Sequence, residues 1–414
     1  MSAPTVVTLG CRLNVLESEV VRREASAAGV SGAVIVNTCA VTGEAVRQAR
    51  QTIRRLRRER PNERIIVTGC AAQLSPQTFA AMPEVDQVVG NAEKMNGRNL
   101  LDGGRRIMVS DIMIPDSTSR RRIDGLEGRT RAFVQVQQGC DHRCTFCIVP
   151  FARGPNRSIP IEAIVQQVAT LVDNGYREVV FTGVDICSYG LDLSDRPRLG
   201  NLVRTVLARV PNLARLRLST VDPAAIDDAV FAALAEDERM MPHLHLSLQA
   251  ADDMVLKRMK RRHNRRKAAE VVERARAARP GILFGADLIA GFPTETDAMF
   301  ANTMAAVREF GLTYLHVFPF SPRAGTPAAR MPQVPATIRK ERAAALREAG
   351  ARARRHQFEA RIGTTTTILV ETEHAGRCPD YAPVKLSFGA APGQLIRVRI
   401  AGAADDYLMG ASTS

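Results

Sequence analysis

The sequence contains no tryptophan, and aromatic residues fill only 5% of its 414 positions. An extended platform of aromatic side chains on which nucleobases could stack is therefore not visible. No apolar run approaches the ~20 residues that a membrane-spanning helix needs, and the N-terminal residues do not form a signal peptide. These absences argue against a membrane protein, and we expect a soluble, monomeric chain that remains in the cytoplasm.

Acidic residues are also scarce: 43 Asp and Glu stand against 57 Lys and Arg, which gives a formal net charge of +14. Such a charge favours a polyanionic partner, with nucleic acid the first candidate, although a general arginine bias would give the same composition. The contents of 45% hydrophobic and 24% charged residues are typical of globular proteins. A chain of this length predicts two or three domains, each with its own core.

Short β-branched runs alternate with helical patterns over the first part of the chain, which we assign to a domain at residues 1–118. The predicted strands cover residues 6–9, 33–36 and 64–67, and the predicted helices cover residues 17–28 and 44–58. This β-α-β-α-β order predicts a doubly wound parallel sheet. A connection rich in glycine, serine and arginine spans residues 100–131 and includes the arginine run 120–122.

A longer α/β series fills a second domain at residues 126–360. Its predicted strands are 132–137, 178–182, 215–219, 243–248, 283–289 and 314–318. Helical patterns separate them, of which residues 161–174 form the clearest. Six such units predict a full or partial (β/α)6 barrel. A long helix at 338–361 leads to a third domain, residues 361–414, where predicted strands at 364–370, 382–386 and 395–400 indicate a small all-β module.

Eight cysteines in a cytoplasmic chain indicate metal or catalytic ligands before disulfides. Cys140, Cys144 and Cys147 form a CxxxCxxC pattern directly after the first predicted barrel strand. Three thiolates so close together on a loop can converge on one face of a [4Fe–4S] cluster and leave one iron open. Structural zinc normally has four ligands, and no fourth cysteine lies nearby in the sequence. Unrelated or zinc-binding cysteines remain the alternative.

Three further cysteines, Cys11, Cys39 and Cys70, each follow a predicted strand of the N-terminal sheet. The carboxyl ends of parallel strands meet at one edge, where ligands of open α/β folds bind. We therefore expect a second three-cysteine site, again with one free iron if it holds a [4Fe–4S] cluster. The alternative is that each cysteine is a small buried hydrophobic residue. Cys187 and Cys378 receive no ligand role.

The CxxxCxxC spacing, with an aromatic residue at Phe146, resembles the defining motif of the radical S-adenosylmethionine (SAM) superfamily. Both three-cysteine sets together resemble the methylthiotransferase family over essentially the whole chain, and the tail is similar to the TRAM RNA-binding module. The local marks are Thr-Leu-Gly-Cys-Arg-Leu-Asn at 8–14, Pro-Phe-Ala-Arg-Gly at 150–154, Leu-Ser-Leu-Gln at 246–249, Gly-Phe-Pro-Thr-Glu-Thr at 291–296 and His-Val-Phe-Pro-Phe-Ser at 316–321.

This resemblance implies an enzyme with two [4Fe–4S] clusters, which binds SAM at the open iron of the barrel cluster and forms a 5′-deoxyadenosyl radical. Residues 8–14 and 316–327 are most similar to the branch that adds a methylthio group to carbon 2 of N6-threonylcarbamoyladenosine at position 37 of tRNA. The implied partners are the anticodon stem-loop of tRNA, a sulfur donor, and an electron donor such as flavodoxin or ferredoxin.

Three alternatives to that substrate and class stay open. Other branches of the family act on isopentenyladenosine in tRNA or on an aspartate of a ribosomal protein. A protein of a different class, which binds RNA and uses its cysteines to hold structural zinc, would also carry these residues. Iron content separates the last alternative from the first two.

Six residues near the ends of the predicted barrel strands are weaker candidates for contacts with SAM. Barrel active sites lie at the C-terminal ends of the strands, so these positions face the relevant end of the barrel. A turn or a strand cap is the alternative role at each position, and we assign no catalytic residue beyond the clusters. The candidates are Gly183, Asp185, Ser219, Ser247, Gln249 and Gly291. We expect His142, within the cysteine loop, to be solvated.

The run 257–267 carries eight Lys and Arg and no acidic residue. A solvated helix face normally mixes both signs of charge, so this run favours contact with phosphates over a merely solvated surface. We predict that Arg261, Arg262, Arg265 and Arg266 bind the RNA backbone, which positions an RNA without reading its sequence. A shorter basic run lies at 54–58.

Overall fold

The computed structural model describes residues 4–101, 104–114 and 123–413. It contains an N-terminal α/β unit, a central α/β unit and a C-terminal all-β module, in the order that the sequence predicts. Part of the predicted connection lies outside the described residues, including the arginine run 120–122 and the domain boundary expected at 118.

The N-terminal unit is built around a five-stranded parallel sheet. Its strands are β1 (Thr5–Thr8), β2 (Ala33–Thr38), β3 (Arg64–Gly69), β4 (Gln87–Val89) and β5 (Ile107–Met108). Its helices are α1 (Arg12–Ala27), α2 (Gly43–Glu59), α3 (Cys70–Leu74), α4 (Pro76–Ala80) and α5 (Gly97–Leu101). The strands lie side by side in the order β1-β2-β3-β4-β5.

Helices cover both faces of this sheet because the strands are apolar on both sides. Val34 of β2 packs in a cluster with Ile53 of α2 on one face. The next residue, Ile35, packs with Val21 of α1 on the other face. The predicted parallel sheet with helices on both faces is confirmed, and β4 and β5 extend it beyond the three strands that the pattern predicts.

The central unit contains six consecutive parallel strand positions with helices between them. The strands are β6 (Arg131–Gln135), β9 (Glu178–Thr182), β10 (Arg215–Leu218) with β11 (Thr220–Val221), β12 (His243–Gln249), β13 (Leu283–Ala290) and β14 (Leu312–Pro319). The helices are α6 (Val149–Arg153), α7 (Ile161–Asp173), α8 (Leu199–Arg209), α9 (Asp228–Glu236), α10 (Asp253–Arg258), α11 (Arg265–Ala278), α12 (Asp297–Glu309) and α13 (Ala336–Glu359). A short antiparallel pair, β7 (Gln137–Gln138) and β8 (Arg157–Ser158), flanks the cysteine loop.

These strands form a partial barrel, as predicted. They pair as β10-β9-β6 and as β11-β12-β13-β14, and no pairing joins β6 to β14 among the described strands. Apolar residues on alternate strand positions pack outward against the helices in one large core. On the inner side, Leu13 and Leu16 of α1 pack against Phe133 and Val180 of the barrel, so the N-terminal unit and the barrel share an apolar interface.

The C-terminal module is a closed barrel of five strands, in the order β15-β16-β17-β19-β18. The strands are β15 (Thr365–Thr372), β16 (Ala375–Arg377), β17 (Pro383–Leu386), β18 (Leu395–Ala403) and β19 (Leu408–Ser412). Phe358, near the end of α13, is buried in the core of this module and ties it to the helix. The described part of the chain has no helix that is both long and apolar enough to cross a membrane.

Candidate active site

The first cysteine set lies on a loop at the C-terminal end of the first barrel strand. The amide of Cys140 donates to the carbonyl oxygen of Gly154 at 3.0 Å, which closes the loop, and the amide of Cys147 donates to the carbonyl oxygen of Cys144 at 3.0 Å. Gly139 begins the loop with a φ of +74°, and a Cβ there would lie 1.7 Å from the carbonyl oxygen of Pro155. Only glycine fits this close approach of two backbones.

Burial makes these thiols hard to ionise. It raises the pKa of the Cys147 thiol to about 11 and that of the Cys140 thiol to about 12. The thiols therefore keep their protons at neutral pH until a metal displaces them, because thiolates are the metal-binding form. A loop of three soft ligands fits an iron–sulfur cluster with one open iron.

The second set gathers at one edge of the N-terminal sheet, as the strand pattern predicts. Cys11 precedes α1, Cys39 directly follows β2, and Cys70 begins α3 directly after β3. Gly10 has a φ of +104° and lets the loop after β1 approach the loop after β2 closely. A Cβ at Gly10 would lie 2.6 Å from the Cβ of Cys39. Burial raises the pKa of the Cys39 thiol to about 11, and the neighbouring Cys70 and Cys11 add to the rise.

The two cysteine sets are linked across the interface between the N-terminal unit and the barrel. Helix α6 begins two residues after Cys147 and ends at Arg153, whose Nε lies 3.1 Å from Sγ of Cys70. A second link joins the amide of Gly43 to Oγ of Ser321 at 3.0 Å. The fold therefore brings both sets, which are distant in sequence, into one region.

Several of the predicted SAM-contacting residues lie around the C-terminal end of the barrel. Ser219 separates β10 from β11, and Ser247 lies near the end of β12. Gln249 ends β12 with a φ of +68°, where the pairing with β13 shifts register. A non-glycine residue in this conformation is uncommon and occurs often at functional sites. Gly291 follows β13 with a φ of +71°.

The remaining two predicted contacts lie beside the barrel cysteines. A Cβ at Gly183 would lie 2.7 Å from the carbonyl oxygen of Gln137, so the backbone passes close to the loop. Oδ2 of Asp185 lies 2.9 Å from Nε2 of His142 and accepts from Oγ of Ser188 at 2.6 Å. His142 is therefore solvated only in part: its side chain is 26% exposed, and the carboxylate of Asp185 holds its imidazole.

The side chains of the basic run 257–267 differ in whether they face the surface or the barrel interior. The side chain of Arg261 is only 9% exposed, and its Nη2 donates to the carbonyl oxygen and to Oγ of Ser247 at 2.8 and 3.0 Å. Its Nη1 lies 3.7 Å from Sγ of Cys144. The expectation that this side chain faces an RNA at the surface is not met, because Arg261 turns inward to the cysteine loop.

The other three predicted RNA-binding arginines differ in exposure. Arg262 pairs with Asp222 at 3.0 Å, and Arg265 bonds Glu309 and the carbonyl oxygen of Asn302. Arg266 is 80% exposed and pairs with Glu270 on its own helix. The surface of the run is therefore formed by Lys257, Lys260, Arg262 and Arg266.

Comparisons with known proteins agree with this arrangement. Residues 134–307 match the radical SAM superfamily, and residues 4–90 match a family described as Uncharacterized protein family UPF0004. The threonylcarbamoyladenosine tRNA methylthiotransferase MtaB of Rickettsia prowazekii is 49% identical over 403 residues, which cover 97% of this chain and 96% of the relative. The chain belongs to the radical SAM methylthiotransferase family. The predicted family is confirmed.

Two further relatives and one solved structure are also similar to this methylthiotransferase. The MtaB protein of Thermotoga maritima is 37% identical over 84% of this chain and 82% of its own length. A tRNA-2-methylthio-N(6)-dimethylallyladenosine synthase of Cereibacter sphaeroides is 35% identical over 98% of this chain and 97% of its own. The solved structure of the radical SAM methyltransferase TsrM of Kitasatospora setae has a TM-score of 0.56 at 17% identity, over 80% of this chain and 77% of that chain, and shares the fold.

One group of polar residues inside the barrel of this methylthiotransferase was missed by the sequence analysis. Oδ1 of Asp287 lies 3.1 Å both from Nε2 of His245 and from Nδ1 of His316. Burial alone would raise the pKa of Asp287, but the two imidazoles outweigh burial and lower it well below the usual range. The only local signal is that these residues alternate with apolar ones along β12, β13 and β14.

The two remaining cysteines of this methylthiotransferase are buried in hydrophobic cores. Cys187 lies in the barrel core, where its Sγ accepts from the amide of Asp222 at 3.2 Å. Cys378 lies in the core of the C-terminal module, where burial raises its pKa to about 11. Their surroundings are those of small apolar side chains.

Proposed function

We propose that this chain adds a methylthio group to carbon 2 of N6-threonylcarbamoyladenosine at position 37 of tRNA by radical SAM chemistry. The observation that carries this proposal is the link between two three-cysteine sets across one domain interface, where Arg153 of helix α6 contacts Cys70. The relatives named threonylcarbamoyladenosine tRNA methylthiotransferase MtaB, which match nearly the whole chain, support this substrate.

Cys140, Cys144 and Cys147 would hold the [4Fe–4S] cluster that binds SAM, and a second [4Fe–4S] cluster would lie at Cys11, Cys39 and Cys70. When bound, these groups supply the one-electron cleavage of SAM to a 5′-deoxyadenosyl radical and the transfer of a methylated sulfur. A radical suits this reaction because the C–H bond at carbon 2 of an adenine offers no acidic proton for acid–base catalysis. Each site fits a [4Fe–4S] cluster because its three thiolates can bind three irons and leave the fourth iron open.

The chain's own residues position SAM and the substrate. The inward-turned guanidinium of Arg261, next to Cys144 and Ser247, is suited to the carboxylate of SAM. The carboxylate of Asp185 lies beside His142 and Cys140, and the backbone of Gly183 lies beside Gln137. We assign these two residues to the ribose of SAM. Ser219, Gln249 and Gly291 complete the rim of the barrel around this position.

The barrel interior favours a polar substituent on the adenine. The ring of His316 is 57% exposed, and Asp287 orients it through Nδ1, which leaves Nε2 available. A threonylcarbamoyl group offers a carboxylate, a hydroxyl and amide groups to such a ring, whereas a dimethylallyl group offers none. The Cereibacter relative nevertheless supports isopentenyladenosine tRNA as the second candidate substrate.

The tRNA would reach this site along a basic surface. We assign the anticodon stem-loop to the exposed cations Lys257, Lys260, Arg262 and Arg266 and to the C-terminal module. Arg265 lies at the start of α11, the helix that also carries Arg266. We assign Arg261 to SAM and not to the RNA. A sulfur donor and an electron donor of the flavodoxin or ferredoxin class complete the partners, and we place the monomeric enzyme in the cytoplasm, with its tRNA.

Anaerobic purification followed by iron and zinc analysis tests the assignment. Two four-iron clusters require about eight irons per chain and give a brown protein. A colourless chain loaded with zinc would contradict the proposal and favour a zinc-containing RNA-binding protein. Incubation of the iron-loaded enzyme with SAM, a reductant and two tRNAs, one carrying threonylcarbamoyladenosine and one isopentenyladenosine, then separates the two substrates.

A further inference from the structure

Helix α6 connects the two cysteine sets within a few residues. It begins at Val149, two residues after Cys147, and ends at Arg153. Nδ2 of Asn91, from the N-terminal unit, donates to the carbonyl oxygen of Ala152 at 2.8 Å and anchors the end of the helix. The loop that would hold the barrel cluster and the sheet edge that would hold the N-terminal cluster are therefore joined by one short, rigid segment.

The guanidinium of Arg153 ends this connection, and it is almost completely buried at 2% exposure. Its Nε donates to Sγ of Cys70 at 3.1 Å, within hydrogen-bond distance of a sulfur acceptor. Its Nη2 donates to Oδ1 of Asn14 at 2.6 Å and to Oε2 of Glu17 at 3.0 Å, and its Nη1 contacts Oε1 of Glu17. This bidentate pairing fixes the plane of the guanidinium and aims Nε at the sulfur.

The carboxylate that holds Arg153 has a second cation on its other side. Nζ of Lys94 lies 2.7 Å from Oε2 of Glu17 and donates to Oδ1 of Asn91 at 2.8 Å. Burial would raise the pKa of Glu17, but Arg153 and Lys94 outweigh burial and lower it, so the carboxylate stays ionised. Glu17 therefore keeps one partner when Arg153 is replaced, which favours survival of the fold.

We propose that Arg153 is a positioning residue that raises the reduction potential of the N-terminal cluster through its hydrogen bond to Cys70. This inference rests on the proposed function, which assigns a [4Fe–4S] cluster to Cys11, Cys39 and Cys70. Hydrogen bonds to cluster sulfurs and nearby positive charge stabilise the state that holds the extra electron. A guanidinium keeps its charge at all accessible pH values, so the effect is permanent.

The two clusters would then have separate potentials although helix α6 links their sites. The barrel cluster loop receives an N–H···S contact from Arg261 at 3.7 Å, which is longer than the 3.1 Å of the Arg153 contact. The hydrogen bond to the N-terminal cluster is consequently the stronger of the two. This difference predicts that replacement of Arg153 changes one cluster and leaves the other unchanged.

A redox titration of the full-length enzyme with both clusters, followed by electron paramagnetic resonance, tests the proposal. SAM changes the signal of the barrel cluster and so identifies the signal of the other. In Arg153→Met the reduction potential of the N-terminal cluster should fall by at least about 59 mV. For one electron this corresponds to a tenfold change in the equilibrium constant for reduction of the cluster. Arg153→Lys retains the charge without the oriented Nε–H and should give a smaller fall. The control is Arg47→Met, which replaces an exposed arginine of the N-terminal unit. The reduction potentials of both clusters should be unchanged in this variant.

An N-terminal cluster with its full iron content and an unchanged potential in Arg153→Met would overturn the inference. If this variant loses the irons of the N-terminal site, Arg153→Lys decides: a lowered potential supports the inference, and an unchanged potential overturns it. Loss of those irons in both variants also overturns it, because the role would then be structural. A wild-type chain without iron at Cys11, Cys39 and Cys70 would instead contradict the proposed function itself.

Discussion

Arg12 donates from Nη2 to the hydroxyl oxygen of Tyr381 at 2.9 Å, across 369 residues of chain. Arg12 directly follows Cys11, whereas Tyr381 belongs to the C-terminal module. The ring of Tyr381 stacks on His243 of the barrel with ring centroids 4.9 Å apart, and the guanidinium of Arg377 lies 4.4 Å from the ring centroid. One side chain therefore contacts all three units of the protein.

This contact predicts a pH-dependent stability. Burial alone would raise the pKa of Tyr381, but the guanidiniums of Arg12, Arg131 and Arg377 outweigh burial and lower it to about 7. The unfolded value is ~10, so unfolding between pH ~7 and ~10 takes up a proton, and the free energy of unfolding rises with pH in this window by at most about 1.4 kcal/mol per unit. The contribution is lost as the pH falls through the folded pKa.

Urea unfolding of the wild type and of Tyr381→Phe checks this expectation. The difference in free energy of unfolding between the two proteins should widen as the pH is raised from ~7 to ~9. A difference that stays constant over that interval would show that Tyr381 remains neutral in the folded protein.

Replacement of Cys140, Cys144 or Cys147 with Ala should abolish SAM cleavage, because each change removes one of three ligands. The fold should survive, since the barrel core does not depend on the loop, and the N-terminal irons should remain. The measurements are 5′-deoxyadenosine formation and iron content. Formation of 5′-deoxyadenosine at the wild-type rate would refute the assignment of this loop.

A triple Ala variant of Cys11, Cys39 and Cys70 should behave differently. It should retain about four irons and cleave SAM slowly, because the barrel cluster is intact. It should form no methylthio product, since the N-terminal cluster that we propose for the transfer of the methylated sulfur would be missing. Product formation by this variant would show that these cysteines are ordinary core residues.

Replacement of Lys257, Lys260, Arg266 and Lys267 with Gln should weaken tRNA binding and flatten its salt dependence. Each lost phosphate contact should change the slope of the log–log salt plot by about 0.7 to 0.9, because fewer counterions are released. SAM cleavage without tRNA should be unchanged, since these side chains lie on the surface.

The matched control for this variant removes four exposed arginines that pair with acidic neighbours elsewhere on the surface: Arg47, Arg204, Arg209 and Arg274. Its affinity for tRNA and its salt slope should remain close to those of the wild type. Equal losses in both variants would mean that only net charge matters and that no defined RNA surface lies at the basic run.

The regular elements were predictable where local pattern decides them. Strand β9 coincides with the predicted 178–182, and α7 ends one residue before the predicted 161–174. The short strands β16 and β19 of the C-terminal module were missed. They contain Gly and Ala and lack β-branched alternation, so pairing within the closed barrel, not local preference, makes them strands.

The candidate site divides in the same way. The gathering of Cys11, Cys39 and Cys70 at one sheet edge followed from the sequence, because parallel strands end at one edge. The placement of Cys140, Cys144 and Cys147 on one loop followed from their spacing. The contacts of Arg153 with Cys70 and of Arg261 with Cys144 did not, because they join residues 83 and 117 positions apart. A run of positively charged residues also does not reveal which side chain turns inward. For this reason the sequence predicted that Arg261 faces the surface.

Mass spectrometry of tRNA nucleosides from a strain that lacks this gene identifies the substrate of the enzyme. We expect that the 2-methylthio derivative of N6-threonylcarbamoyladenosine disappears and that its precursor accumulates. The wild-type gene should restore the derivative, whereas the gene for the Cys11/Cys39/Cys70 variant should not. Persistence of the derivative in the deletion strain, or loss of the isopentenyladenosine derivative in its place, would contradict the account.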